Sequence, residues 1–158
     1  MASFNYGLAS VIASLKEASH DVKLVIVDNY TRPNDIIKDI VDFKASVIGF
    51  TCMSNHWQYV KNLSGKIKRT PILRDIPIFI GGPHAIVCPS SLEEAPSIDG
   101  FCIGEGEYAF LDLIKYLSGD GQYKLLNGNI GLAYHTYYQK NEIYWDIFKT
   151  IWSELKSE

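Results

Sequence analysis

Ile76-Pro77-Ile78-Phe79-Ile80-Gly81-Gly82-Pro83-His84 is the stretch whose reading decides the fold. A short apolar run bounded by turn residues is the pattern of a strand buried on both faces. Here it runs straight into two glycines. A second run of the same kind, Ile98-Asp99-Gly100-Phe101-Cys102-Ile103, runs into Gly104-Glu105-Gly106-Glu107. Glycine carries no Cβ, so a ligand can lie against the backbone where such a strand ends. In open parallel sheets, ligands bind outside those carboxyl ends. The two glycine-ended strands therefore predict a binding edge.

Working outward, helical and strand patterns alternate. Leu8, Val11, Ile12 and Leu15 recur at the spacing of one helix face. Residues 21–28, Asp-Val-Lys-Leu-Val-Ile-Val-Asp, form a β-branched run of strand type. Thr31-Arg32-Pro33-Asn34 opens a second helix with Ile36, Ile37, Ile40 and Val41 on its apolar side. Residues 46–50 make the next strand, entering Thr51-Cys52-Met53-Ser54, and Ser54 or Asn55 can cap a third helix carrying Trp57, Val60, Leu63 and Ile67. The segment from Pro89 to Pro96 holds a short helix at most, and a last helix carries Phe110, Leu113, Ile114 and Leu117. Strands and helices alternating at this spacing mean βαβ units and a mainly parallel sheet. The expected fold is α/β, a flavodoxin- or Rossmann-like three-layer domain.

Two ends depart from that pattern. A doubly wound sheet begins with a central strand, yet the first helix starts near Gly7, and Met1 to Tyr6 is too short and too polar for a buried strand. The N-terminal strand is thus expected to be missing. Unpaired backbone groups in a sheet are costly, so the gap is expected to be filled by a strand from the C-terminal hairpin or by one from a second copy of the chain, as a homodimer. Beyond Ser118-Gly119-Asp120-Gly121, residues 130–138 and 142–148 read as a hairpin around Gln139-Lys140-Asn141, and residues 152–156 as a short helix. The expected division is an α/β domain over residues 1–128 with a hairpin and tail, residues 129–158, packed on it.

Composition narrows the function. The 158 residues are 47% apolar and 21% charged with a net charge of −3, the make-up of one globular domain. No basic stripe speaks for nucleic acid, and no apolar run is long enough to span a membrane. Three cysteines, Cys52, Cys88 and Cys102, without CxxC spacing, read as reduced thiols of a cytoplasmic protein. GxGxxG and GxxxxGK[ST] phosphate loops are absent.

Thr51-Cys52-Met53, then 27 residues, then Gly81-Gly82, resembles the SxL…GG pattern of cobalamin-binding domains. In that family the small hydroxyl residue and the double glycine line a slot for the cofactor's nucleotide tail. Gly7-Leu8-Ala9-Ser10, opening the first helix, is similar to the end of the family's DxHxxG loop. Gly81-Gly82-Pro83-His84, Gly104-Glu105-Gly106-Glu107 and Gly131-Leu132-Ala133-Tyr134 resemble the subgroup that precedes a radical S-adenosylmethionine domain, which includes magnesium-protoporphyrin monomethyl ester cyclase-like proteins. The resemblance implies a corrinoid cofactor contacting Gly7, Thr51, Cys52, Met53, Gly81, Gly82, Pro83, His84, Gly104, Glu105 and Gly106, and a radical S-adenosylmethionine domain as partner. The family's cobalt-ligating histidine and its aspartate would fall at Phe4 and Ala2, so any cobalamin is expected base-off with no histidine from that loop. The CxxxCxxC iron–sulfur motif is also absent, so the chain is not expected to perform radical chemistry alone.

Simpler readings stand beside these. Gly81 and Gly82 shape a tight turn on any account, and Thr51 can serve the next backbone amide. Glu105 and Glu107 suit the first turn of a helix, where carboxylates complement the dipole. His56, His84, Cys52 and Cys88 share the edge but lack metal-ligand spacing. The alternatives to a cobalamin module are a cofactor-free flavodoxin-like interaction or assembly domain, and a domain binding another small ligand at the same edge.

Overall fold

A computed structural model describes residues 5–28 and 30–118. The hairpin over residues 130–148, the terminal helix and the division at residue 129 lie outside the described residues.

The described chain is mixed α/β, with a three-stranded parallel sheet and flanking helices. Helix α1 (Tyr6–Glu17) is capped by Asn5, whose Oδ1 accepts the Leu8 amide at 2.9 Å. Helix α2 (Pro33–Phe43) starts with proline at its first position and ends at Lys44 in the left-handed region. Strand β1 (Ile48–Thr51) leads through a 3-10 turn (Ser54–His56) into α3 (Trp57–Arg69). Strand β2 (Ile78–Gly81) leads into α4 (Pro83–Val87) and a further 3-10 segment (Pro89–Glu94). Strand β3 (Gly100–Phe101) precedes α5 (Gly106–Leu117). The sheet order is β1-β2-β3, with Thr51 opposite Gly81 and Ile80 opposite Phe101.

Side chains alternate across the strands, and this sorts the core into two layers. Ile78, Ile80 and Phe101 point to one face, with Ile48 and Phe50 at its margin, and pack with Ile36 and Ile40 of α2 and Trp57, Val60, Leu63 and Ile67 of α3. Burying an aliphatic or aromatic side chain of this size is worth about 1.5–3 kcal/mol. Phe79 and Gly49 point the other way, where the Phe110 ring tip of α5 approaches the exposed Gly49 and α1 packs on α5. The sheet's polar margin is tied down too: Asp99 Oδ2 accepts the Ile78 amide at 2.7 Å and pairs with Lys68 at 2.9 Å, while Lys68 donates to the Ile76 carbonyl.

Several expectations need correction. Residues 21–28 join no ladder. In a flavodoxin-like order of 2-1-3-4-5, this run is strand 2, whose neighbour is strand 1. Among the described residues no strand occupies that first position, and none of them pairs with the run. It is still anchored on one side, since Val25 packs on the core and Lys23 bonds Asp39 of α2 at 2.6 Å. Strand β3 is shorter than its apolar run suggests, because Ile98 is consumed by the turn into the sheet and Gly104, at φ 103°, turns the chain away. Neither Ser54 nor Asn55 caps α3; the Ser54 hydroxyl bonds His84 instead. Leu117, placed on the apolar face of the last helix by its spacing, is exposed.

Candidate binding site at the carboxyl edge of the sheet

Three chain segments meet where the strands end. The first is Thr51-Cys52-Met53. The Cys52 amide donates to the Gly81 carbonyl at 3.4 Å, and the Cys52 carbonyl accepts the His84 amide at 3.2 Å, so this loop is stitched to the Gly81–His84 turn at two points. The second is that turn. Gly82 has φ 88°, and a Cβ there would lie 2.5 Å from Thr51 Oγ1 and 3.3 Å from the Cys52 nitrogen. Both the backbone conformation and the close approach require glycine. Gly81 is less confined: its added Cβ would meet Cys102 at an ordinary 3.7 Å. The third is Gly104-Glu105-Gly106. A Cβ on Gly106 would come within 3.0 Å of Val11 Cγ2, so the start of α5 presses on α1.

On the α1/α5 side, this arrangement exposes backbone and small groups: Thr51, Gly81 and Cys102 form one row across the three strands' ends. Among the described residues the Thr51 hydroxyl has no hydrogen-bond partner. A partly buried hydroxyl facing a glycine turn is an acceptor and donor offered to whatever lies there.

Charge at the edge is modest. Burial pushes the Cys102 thiol up to about 11, and the nearby Glu107 and Glu105 carboxylates add to the shift. Burial likewise raises Cys52 to about 11. Both stay protonated at neutral pH, which makes them poor nucleophiles. Among the described residues no cluster of histidine, cysteine and carboxylate could hold a metal ion.

His84 is 3% exposed and works as a pin. Ser91 Oγ donates to the Cys88 carbonyl at 2.6 Å, so its oxygen can only accept from His84 Nε2, 2.8 Å away. That fixes the Nε2–H tautomer, and Nδ1 accepts the Ser54 hydroxyl at 3.1 Å. The ring stacks on Trp57 with centroids 4.5 Å apart, and Trp57 meets Phe101 edge-on. Desolvation lowers the His84 pKa, keeping the imidazole neutral.

The sequence-predicted residues thus divide. Thr51, Cys52, Gly81, Gly82 and His84 are in direct contact, with Pro83 starting α4 between them. Gly104, Glu105 and Gly106 join through Cys102 and Val11. Met53 is exposed on the rim. Gly7 stands one helical turn before Val11, and the space where its Cβ would be is open apart from Asn5 at 3.7 Å. Sequence reasoning missed the Ser54–His84–Ser91 chain, Cys102 and the Gly49–Phe110 contact. Strand alternation carried the signal for the last two, since Gly49, Thr51, Gly81 and Cys102 share one face.

The sequence profile of the B12 binding domain matches residues 3–114. An uncharacterized methyltransferase of Pyrococcus horikoshii is 33% identical over 131 residues, which is 81% of this chain and 27% of that protein. Cytidylyl-2-hydroxyethylphosphonate methyltransferase of Streptomyces wedmorensis is 26% identical over 138 residues, 75% of this chain and 25% of that protein. The chain therefore spans about a quarter of the length of these curated relatives. No solved structure matches it significantly. The α/β architecture, the glycine-lined carboxyl edge and the profile match over residues 3–114 agree: the chain belongs to the B12-binding domain family.

Proposed function

We propose that this chain is a corrinoid-holding module that keeps a base-off cobalamin at the carboxyl edge of its sheet and presents it to a catalytic partner domain. The observation that carries this reading is the Thr51 hydroxyl, unpartnered among the described residues and set against a Gly82 that admits no side chain. Thr51 would hydrogen-bond the nucleotide tail, and Gly81-Gly82 would let it pass close to the backbone. The residues present fit that role, because small groups line the row beside the glycine turn. A bound corrinoid would supply a cobalt centre able to carry a methyl group. Methyl transfer is the favoured chemistry because both relatives are named methyltransferases. A radical S-adenosylmethionine domain is the partner that the Gly104-Glu105-Gly106-Glu107 resemblance favours; any cluster for it belongs outside the motifs of this chain.

Holding the tail in the slot takes its base off the cobalt, and with Phe4 standing where a ligating histidine would be, no histidine from that loop replaces it. The test is to mix the purified protein with hydroxocobalamin, remove free cofactor and record the visible spectrum. Retained corrin absorption, with the spectrum of a base-off cobalt, is expected. A colourless protein would overturn the reading in favour of a cofactor-free assembly domain.

A further inference from the structure

We infer that His84 is a positioning residue for corrinoid binding and not a contact: through its Nδ1 bond to Ser54 it holds the loop that follows β1 in the register the ligand needs. The inference rests on the corrinoid reading above and goes beyond it to a residue packed in the α3 layer, away from the ligand.

Every polar atom of His84 is already used. Its amide donates to the Cys52 carbonyl at 3.2 Å, and its carbonyl accepts the Cys88 amide at 2.9 Å. Nε2 donates to Ser91 at 2.8 Å, and Nδ1 accepts the Ser54 hydroxyl at 3.1 Å. The ring is 3% exposed and lies on Trp57. It has nothing left to offer a cofactor, in contrast to the contact that the resemblance implies for this position.

The loop after β1 needs an outside tie. Met53, Ser54, Asn55 and His56 are exposed, and the glycine turn facing Thr51 has no side chain to grip it. The ladder with β2 ends at Thr51, and beyond it the two backbone bonds of Cys52 are 3.4 and 3.2 Å long, at the far end of the ordinary range. Among the described residues, Ser54 to His84 is the one side-chain hydrogen bond made by residues 51–56. The Ser54 hydroxyl forgoes capping α3 to make it. The ring is aimed from its other side. Ser91 fixes the proton on Nε2 and Trp57 fixes the plane, so the Nδ1 lone pair faces Ser54, three residues after Thr51.

The experiment compares the full chain with His84→Asn, His84→Gln and Ser54→Ala. Both His84 variants lose the ring, its stack on Trp57 and one of its two side-chain bonds, so they are matched in what they remove from the core. The asparagine amide oxygen is bonded to Cγ as Nδ1 is, and can accept from Ser54. The glutamine amide reaches one atom further, towards the Nε2 position, and can donate to Ser91. Titrated with hydroxocobalamin and followed by visible absorption, His84→Asn should bind within about two-fold of wild type, whereas His84→Gln and Ser54→Ala should lose roughly two- to ten-fold, the worth of one hydrogen bond. In the ligand-free protein the Cys52 amide should exchange faster by a similar factor in the same two variants. Ser54→Ala leaves the ring, its stack and the Ser91 bond in place, so it decides alone if either His84 variant fails to fold; undiminished affinity there would overturn the inference. Equal affinities for His84→Asn and His84→Gln would make the ring a packing group and overturn it too, while leaving the corrinoid reading intact. A wild-type chain that binds no hydroxocobalamin would overturn the corrinoid reading and this inference with it.

Discussion

Gly82 and Thr51 constrain each other at a single point, and Gly7 provides the contrast. A methyl on Gly82 meets Thr51 Oγ1 at 2.5 Å and the Cys52 nitrogen at 3.3 Å with φ at 88°. Rotating Thr51 relieves the first contact and neither of the others. Gly82→Ala should therefore destabilise by about 2–3 kcal/mol, and combining it with Thr51→Ala should recover only part of that. Gly7→Ala meets open space inside the first turn of α1. It should stabilise by a few tenths to about 1 kcal/mol, and urea unfolding of the three variants measures the difference. His84 governs a pH dependence at the same scale. Its folded-state pKa lies below the ordinary 6.5, so the unfolded chain binds the proton more readily. Stability should be intact above about pH 6.5 and fall as pH drops below it. His84→Gln, which keeps a polar group for Ser54 or Ser91 but cannot titrate there, should flatten that limb of the urea-midpoint profile relative to wild type. An unchanged profile would remove His84 as its source.

At the scale of elements, what was legible depended on whether a pattern needed a partner. Helices close their own hydrogen bonds, and the spacing of Ile36 and Ile40, or of Val60, Leu63 and Ile67, placed α2 and α3 correctly with their buried faces. Strand β2 was legible because a five-residue apolar run ending in Gly81-Gly82 has few other uses. Residues 21–28 have an equally good strand composition, yet a strand is defined by its neighbour, and composition is silent about whether the neighbour is there. The resemblance to the SxL…GG pattern set Thr51 and Gly81-Gly82 at one edge, whereas the Ser54–His84–Ser91 chain had no such signal, because three polar residues scattered over two turns have no period. Hydrogen exchange tests the difference between the two strand-like runs. The Phe50 and Ile80 amides lie inside the paired part of the sheet, and those of residues 22–27 have no ladder. Residues 22–27 should exchange at least about a hundred-fold faster than Ile80. Comparable protection would mean that a strand pairs with them in solution.

For the molecule as a whole, the side of the sheet left unpaired among the described residues is the feature with the largest consequence. The outer edge of β1 carries no strand among the described residues, and the run beside α2 exposes Leu24 at 50%, Ile26 at 79% and Val27 at 40%. Edge strands with free backbone groups and apolar side chains are templates for pairing with another chain. Charge does little to oppose it, since a net −3 over 158 residues repels weakly at physiological ionic strength. The functional edge is not spared, because β1 ends in Thr51: whatever pairs with this strand also steadies the residue proposed to meet the cofactor tail. The protein should therefore associate with rising concentration, and light scattering coupled to size exclusion should show dimers or larger species that dissociate on dilution. Leu24→Lys with Ile26→Lys should suppress that association at a cost of less than about 1 kcal/mol in stability, because both positions are at the surface and leave Val25 and the Lys23–Asp39 pair in place. A wild-type chain that stays monomeric at high concentration, with the 22–27 amides unprotected, would show that an unladdered edge is tolerated here without a second copy to cover it.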